Sequence, residues 1–178
     1  MVPTKRFSTL LLLFCLLLQA GYKVLNDNSA SLANVPKPIA KMWLAGQFPI
    51  AEFWEYKGDF LGKSSVAFYF KSNGVCEFYQ VTVNDSHGYR LETLVYKKGT
   101  VKFHNNHSFT FYPTEGSKRE FYNFCDNFYQ NYNQKASLKD LTPQTYYYTL
   151  QSNSKGKDQL VIQAKLTGAA KTIFQAAN

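Results

Sequence analysis

The sequence predicts an all-β protein, an antiparallel up-and-down barrel of about eight to nine strands. Three observations carry that prediction. Aromatic residues make up 17% of the chain, with 15 Phe, 13 Tyr and 2 Trp, and such rings favour pleated, half-buried surfaces. Short runs of alternating apolar residues recur from Ser65 onward, separated by turn chemistry too brief for a parallel crossover, so neighbours must meander antiparallel. An open sheet of this many strands would leave exposed edges, and closing it removes them.

The bulk composition bounds the rest. A chain of 178 residues with 45% hydrophobic and 18% charged residues is a globular domain and not a disordered one. The net charge is +8. Its lysines are scattered, and the only clusters, Lys97-Lys98 and Lys118-Arg119, fall at expected turns. Nucleic-acid binding wants a concentrated basic stripe, so no nucleic-acid partner is expected and the charge reads as a solvated surface.

In chain order, residues 1–20 read as a signal peptide. Lys5-Arg6 give a basic start, Leu10 to Leu18 is unbroken apolar sequence, and Ala20-Gly21 offers small residues for cleavage. The run is too short to cross about 30 Å of hydrocarbon, so no stable membrane insertion is expected and the destination is secreted or periplasmic. Residues 21–41 read as an extended tether, polar at Asn26–Ser31 and stiffened by Pro36-Lys37-Pro38. The folded domain is expected over 42–178.

Gln47 to Tyr56 reads as an edge or early-barrel strand, with Phe48, Ile50, Trp54 and Tyr56 on one parity and Pro49 confining it to an edge. Ser65 to Val83 reads as a hairpin turning at Asn73-Gly74, a two-residue turn signal. Leu91 to Tyr122 divides into short runs stopped in turn by Lys97-Lys98-Gly99, by Asn105-Asn106, and by Pro113 with Glu115-Gly116. Asn123 to Asp140 reads as a long loop with a turn of helix, because Ser137 to Asp140 resembles a capping pattern. Thr145–Gln151 and Gln159–Lys165 form a closing pair.

Four segments together resemble the lipocalin-like, calycin-type β-barrels: F-Y-F-K-S-N-G at 68–74, Y-K-K-G-T-V-K-F at 96–103, F-T-F-Y-P at 109–113, and the closing pair around Tyr146–Leu150 and Leu160–Ala164. The resemblance is one of layout and covers about residues 43–166. It implies a non-enzymatic barrel, needing no cofactor, whose interior holds a small hydrophobic or amphipathic molecule. Two other classes stay open: an envelope interaction module with a filled barrel, and a barrel cyclase or isomerase using a buried Glu77 or Glu92.

If the apolar parity points inward, Phe68, Phe70, Tyr79, Phe109, Phe111, Tyr146 and Tyr148, with Val66, Val81 and Ile162, line the ligand site; the competing reading is that these rings pack as core. Glu77 shares the parity of Val75, Tyr79 and Val81, so it faces the interior or sits at the rim where the strand leaves the barrel. His104 and His107 would stand opposite each other across a two-residue turn, but no third ligand lies nearby and no metal site is expected. Cys76 and Cys125 either bridge or remain buried thiols; a bridge would close about 50 residues, worth about 4 kcal/mol in the chain-entropy model. Asn84-Asp85-Ser86 and Asn106-His107-Ser108 match the glycosylation acceptor pattern. No phosphate loop, Ser-His-Asp arrangement or paired-acid motif is present, so no catalytic residues are assigned.

Overall fold

The computed structural model describes residues 35–47, 49–58, 64–86, 88–124, 129–165 and 168–177, all within the compact unit Leu32–Asn178. The signal-peptide reading of 1–20 and most of the tether lie outside these residues. The described strands are β1 (Met42–Ala45), β2 (Ser65–Phe70), β3 (Val75–Ser86), β4 (Tyr89–His104), β5 (Ser108–Phe124), β6 (Tyr129–Lys135), β7 (Gln144–Ser152), β8 (Asp158–Gln163) and β9 (Thr172–Ala176). They form one antiparallel sheet in the order β4-β3-β2-β1-β9-β8-β7-β5-β6, and β4 also pairs with β5, so the sheet closes into a ring with β6 hanging outside it. Among the described residues there is no α-helix, and none long and apolar enough to cross a membrane.

The β4–β5 hairpin is the longest element and differs from the sequence expectation. Lys97-Lys98-Gly99 is no turn, and Pro113 and Gly116 end nothing. The two strands pair from Tyr89–Phe124 to His104–Ser108, with a register shift at Lys98/Gly99 that leaves Thr114 as the extra residue of a β-bulge. Pro113 lies past the last β5–β7 pair, Phe111 with Gln144, where its missing N–H breaks no ladder bond to that strand. Gly99 is needed there, because a Cβ would fall 1.9 Å from the Tyr112 carbonyl oxygen. One inserted residue reverses which side chains face which way. Phe109 and Phe111 therefore point into the ring, whereas Phe121, of the same parity, points out of it.

Both expected two-residue turns are three-residue loops with a left-handed last residue. Gly74 (φ 84°) closes Ser72–Gly74 and His107 (φ 55°) closes Asn105–His107. The strand expected at Gln47–Tyr56 is not found among its described residues: the short strand β1 ends ahead of it, at Ala45, and a 3-10 turn forms at Ile50–Glu52. The N–H of Glu52 donates to Pro49, that of Phe53 to Ile50 and that of Tyr56 to Glu52. The governing spacing is three, Ile50-Phe53-Tyr56, rather than two.

Residues 35–41, expected as the end of an extended tether, turn at Pro36–Ile39 and bury Val35 and Ile39 in the core. The long loop expected after Tyr122 contains strand β6; the Ser137–Asp140 capping pattern does form, with the Asp140 carboxylate accepting from the Ser137 N–H (2.9 Å) and hydroxyl (2.6 Å). Strands β7 and β8 lie where expected. Strand β9 carried no expectation, and it closes the gap between β1 and β8.

Two apolar clusters follow from this geometry. The inner one draws on every strand of the ring: Trp43, Phe68, Phe70, Cys76, Val101, Phe109, Phe111, Leu160, Ile162 and Phe174 are buried in it, with Tyr146 and Tyr148 packed against it. The outer one sits on the other face, where Ala67, Tyr79, Val81, Leu94 and Phe121 pack under Phe53, Ile50 and Tyr56 of the 50–56 segment.

Candidate functional site

Of the residues expected to line a ligand cavity, Phe68, Phe70, Phe109 and Phe111 do face the inside of the ring, but they fill it. Phe68 sits among the rings of Phe70, Phe78, Phe109, Tyr146 and Phe174, at centroid distances of 5.0 to 5.9 Å. Tyr146 lies 5.2 Å from Phe109, and Tyr148 5.6 Å from Phe103. Burial, with the nearby Cys76 adding to it, pushes the Tyr146 phenol up to about 12, and burial also raises Tyr148, so both stay neutral around pH 7.

Tyr79 is a correction, and Val81 goes with it. Phe68 pairs with Phe78 and Phe70 with Cys76, so the even residues of β3 share the inner face with the even residues of β2. Tyr79 and Val81 therefore face outward. Alternation could not reveal this, because both faces of β3 are covered by apolar neighbours. Burial and the adjoining Glu77 push the Tyr79 phenol well above its usual value.

Glu77 also faces outward, close to the Ser72–Gly74 loop, where it accepts from the Lys71 ammonium (2.6 Å) and the Tyr79 hydroxyl (2.7 Å). Glu92 is 2% exposed and lies beneath the 50–56 segment. It accepts from the Tyr56 hydroxyl and from Arg90 Nε (2.7 Å). Neither carboxylate faces the inside of the ring. Arg119 fastens the same segment: its guanidinium donates to the carbonyl oxygens of Phe53, Trp54 and Tyr56 and lies over the Phe53 ring at 5.1 Å.

His104 pairs with Ser108, and His107 occupies the left-handed loop position, so the two histidines are not cross-strand partners. His104 Nε2 meets the Thr110 hydroxyl at 2.9 Å instead. Among the described residues no group of His, Cys, Asp and Glu could hold a metal ion. Cys76 is a buried thiol, its pKa raised by that burial, and Cys125, its expected partner, lies outside the described residues.

Among the described residues, one open space lies above the aromatic plug. A cup of about 450 Å³ is lined by Ala45 and Gly46 at the end of β1, Ser64 to Val66 at the start of β2, Gln80 to Thr82 in β3 and Thr172 in β9. The pairings Ala45–Val66 and Val66–Gln80 make these positions a row across neighbouring strands. The next inward residues along β2 and β9 are Phe68 and Phe174, both buried in the plug. The cup thus has an apolar wall of Ala45 and Val66 and a polar rim of Gln80, Thr82 and Thr172, with Gln80 Nε2 donating to the Thr82 hydroxyl at 3.4 Å. Val66 and Val81 were expected to line a ligand site; the others were not singled out in the sequence. Their only sequence signal is that the inward parity of β3, Cys76 and Phe78, changes to Gln80 and Thr82, which marks where the inner face meets solvent. A second hollow of about 280 Å³ lies on the outer face of β7, β8 and β9, between Tyr147, Val161, Lys171 and Ile173.

No family model matches the chain, nor does any curated protein or solved structure.

Proposed function

We propose that this chain is a lipocalin-like β-barrel that binds a small hydrophobic or amphipathic molecule in the cup at the mouth of its strand ring. Secretion or periplasmic residence accompanies this reading, from the apolar leader at 1–20. The observation that carries it is the cup itself. Its volume of about 450 Å³ falls in the range of small-molecule sites, and it joins apolar walls to a few rim groups able to make hydrogen bonds. The plug below it limits the ligand to the mouth, so a short chain or a single ring system fits better than a long acyl chain.

A direct test is titration with N-phenyl-1-naphthylamine, a neutral probe that brightens in apolar surroundings. Saturable binding is expected, and Thr172→Trp, which places a large ring in the cup, should weaken it about tenfold or more, about 1.4 kcal/mol. Binding unaffected by that substitution places the probe elsewhere and removes the cup from the argument.

A second reading is favoured by the filled interior: a barrel that serves as an interaction module on the cell envelope. Failure of any probe to saturate, with the fold intact by circular dichroism, selects it over the first.

A further inference from the structure

We infer that the cup selects an uncharged, hydrogen-bonding head group, such as an alcohol, amide or glycerol ester, against the corresponding carboxylate; the inference rests on the ligand-binding reading above. Every described residue lining the cup is neutral: Ala45, Gly46, Ser64, Ser65, Val66, Gln80, Val81, Thr82 and Thr172. Among the described residues, the cations nearest in sequence or on the same face are engaged or turned away. Lys118 shares the inner face of the upper half of the β4–β5 hairpin (Tyr89–Lys98 with Glu115–Phe124, beyond the bulge) and is paired with Glu120 at 2.5 Å. Lys97, on that face too, donates to the Asp140 carbonyl oxygen at 2.5 Å. Lys171 adjoins Thr172, but it lines the hollow on the opposite face of the sheet with Tyr147 and Ile173.

An anion entering the cup would lose part of its hydration and meet no counter-charge among the described residues, which is costly. A hydroxyl or amide loses less and finds partners. Ser64 Oγ already accepts from the Val83 N–H and Ser65 Oγ from the Gln47 N–H, while Thr82 accepts from Gln80. The Ser64 and Thr82 hydroxyls keep their own O–H to donate, the Gln80 carboxamide oxygen is an acceptor, and the Thr172 hydroxyl is either donor or acceptor at the rim. The head group this set fits both donates and accepts, as an alcohol or primary amide does.

The experiment is displacement of bound N-phenyl-1-naphthylamine from the full chain by four ligands of one chain length at pH 7.5: decan-1-ol, decanamide, monodecanoylglycerol and decanoate. The three neutral ligands should compete, and decanoate should compete about tenfold more weakly or worse. Gln80→Lys, at an exposed position, supplies the missing cation and should reverse the preference toward decanoate. Equal competition by all four ligands, or the strongest competition from decanoate in the unaltered protein, overturns the head-group inference while leaving ligand binding intact. Competition by none of them, with the probe itself failing to saturate, removes the ligand-binding reading and this inference together.

Discussion

The two apolar clusters of this molecule sit back to back on the same strands, yet they are held in different ways. The inner cluster is enclosed by all eight strands of the ring, and its rings interlock with one another. Opening it means breaking the sheet. The outer cluster has the sheet on one side only. Its cover is the 50–56 segment, fastened by the Arg119 guanidinium to three carbonyl oxygens and by the Tyr56 hydroxyl to Glu92. Two regions of similar chemistry should therefore differ in cooperativity: the inner one opens only with global unfolding, and the outer one can open locally.

The largest expected effect is at the plug. Phe109→Ala removes a fully buried ring from contact with Phe68, Phe70, Phe103 and Tyr146 and should cost about 3–5 kcal/mol of global stability in urea unfolding. A loss below about 1 kcal/mol would mean that the ring is loosely packed and that the plug is not the main core.

Gly99 joins the two regions, since the bulge beside it turns Phe109 inward and Phe121 outward. Gly99→Ala drives a methyl group into the Tyr112 backbone and should cost about 1–3 kcal/mol, with amide exchange accelerated on both halves of the hairpin. Acceleration confined to one half would show that the bulge does not couple them.

Arg119→Met separates the regions. It keeps apolar bulk against Phe53 but removes the donors, and about 2 kcal/mol of local stability should be lost. Hydrogen exchange should quicken at Phe53–Tyr56 and in the upper halves of β4 and β5, while the amides around Phe68 and Phe109 keep their protection. An equal loss of protection in both regions abolishes the distinction.

The smallest effect is at Glu77. Burial pushes its carboxyl pKa up, but the bonds from Lys71 and Tyr79, with the charges of Lys71 and Lys98, outweigh that and leave it below the ordinary value. A depressed folded-state pKa gives stability that is fully present above the unfolded value of about 4.3 and is lost as pH falls through the folded one. Glu77→Gln should therefore lower stability at pH 7 slightly and flatten the acid limb below about pH 4. An acid limb identical to that of the unaltered protein would remove Glu77 from the pH response.

Much of this was legible in the chain. The all-β class, the hairpin at Ser65–Val83, the loop at Asn105-Asn106 and the closing pair β7–β8 follow from alternation and turn residues, which act over a few neighbours. Phe68, Phe70, Phe109 and Phe111 were rightly placed facing inward. Their role as plug or as cavity wall was not legible, because filling depends on ring-to-ring distances across strands far apart in sequence. Apart from Val66 and Val81, the cup residues were missed because small and polar side chains carry no periodic signal.

What the sequence determined by itself was the vocabulary of strands and turns and the aromatic load that makes a sheet worth closing. Tertiary pairing decided the faces. Both faces of β3 carry apolar residues, so alternation cannot say which side is in; that is set by the partner strand, by one extra residue at Thr114 in β5, and by the Ile50 to Tyr56 segment in the fold's outer layer.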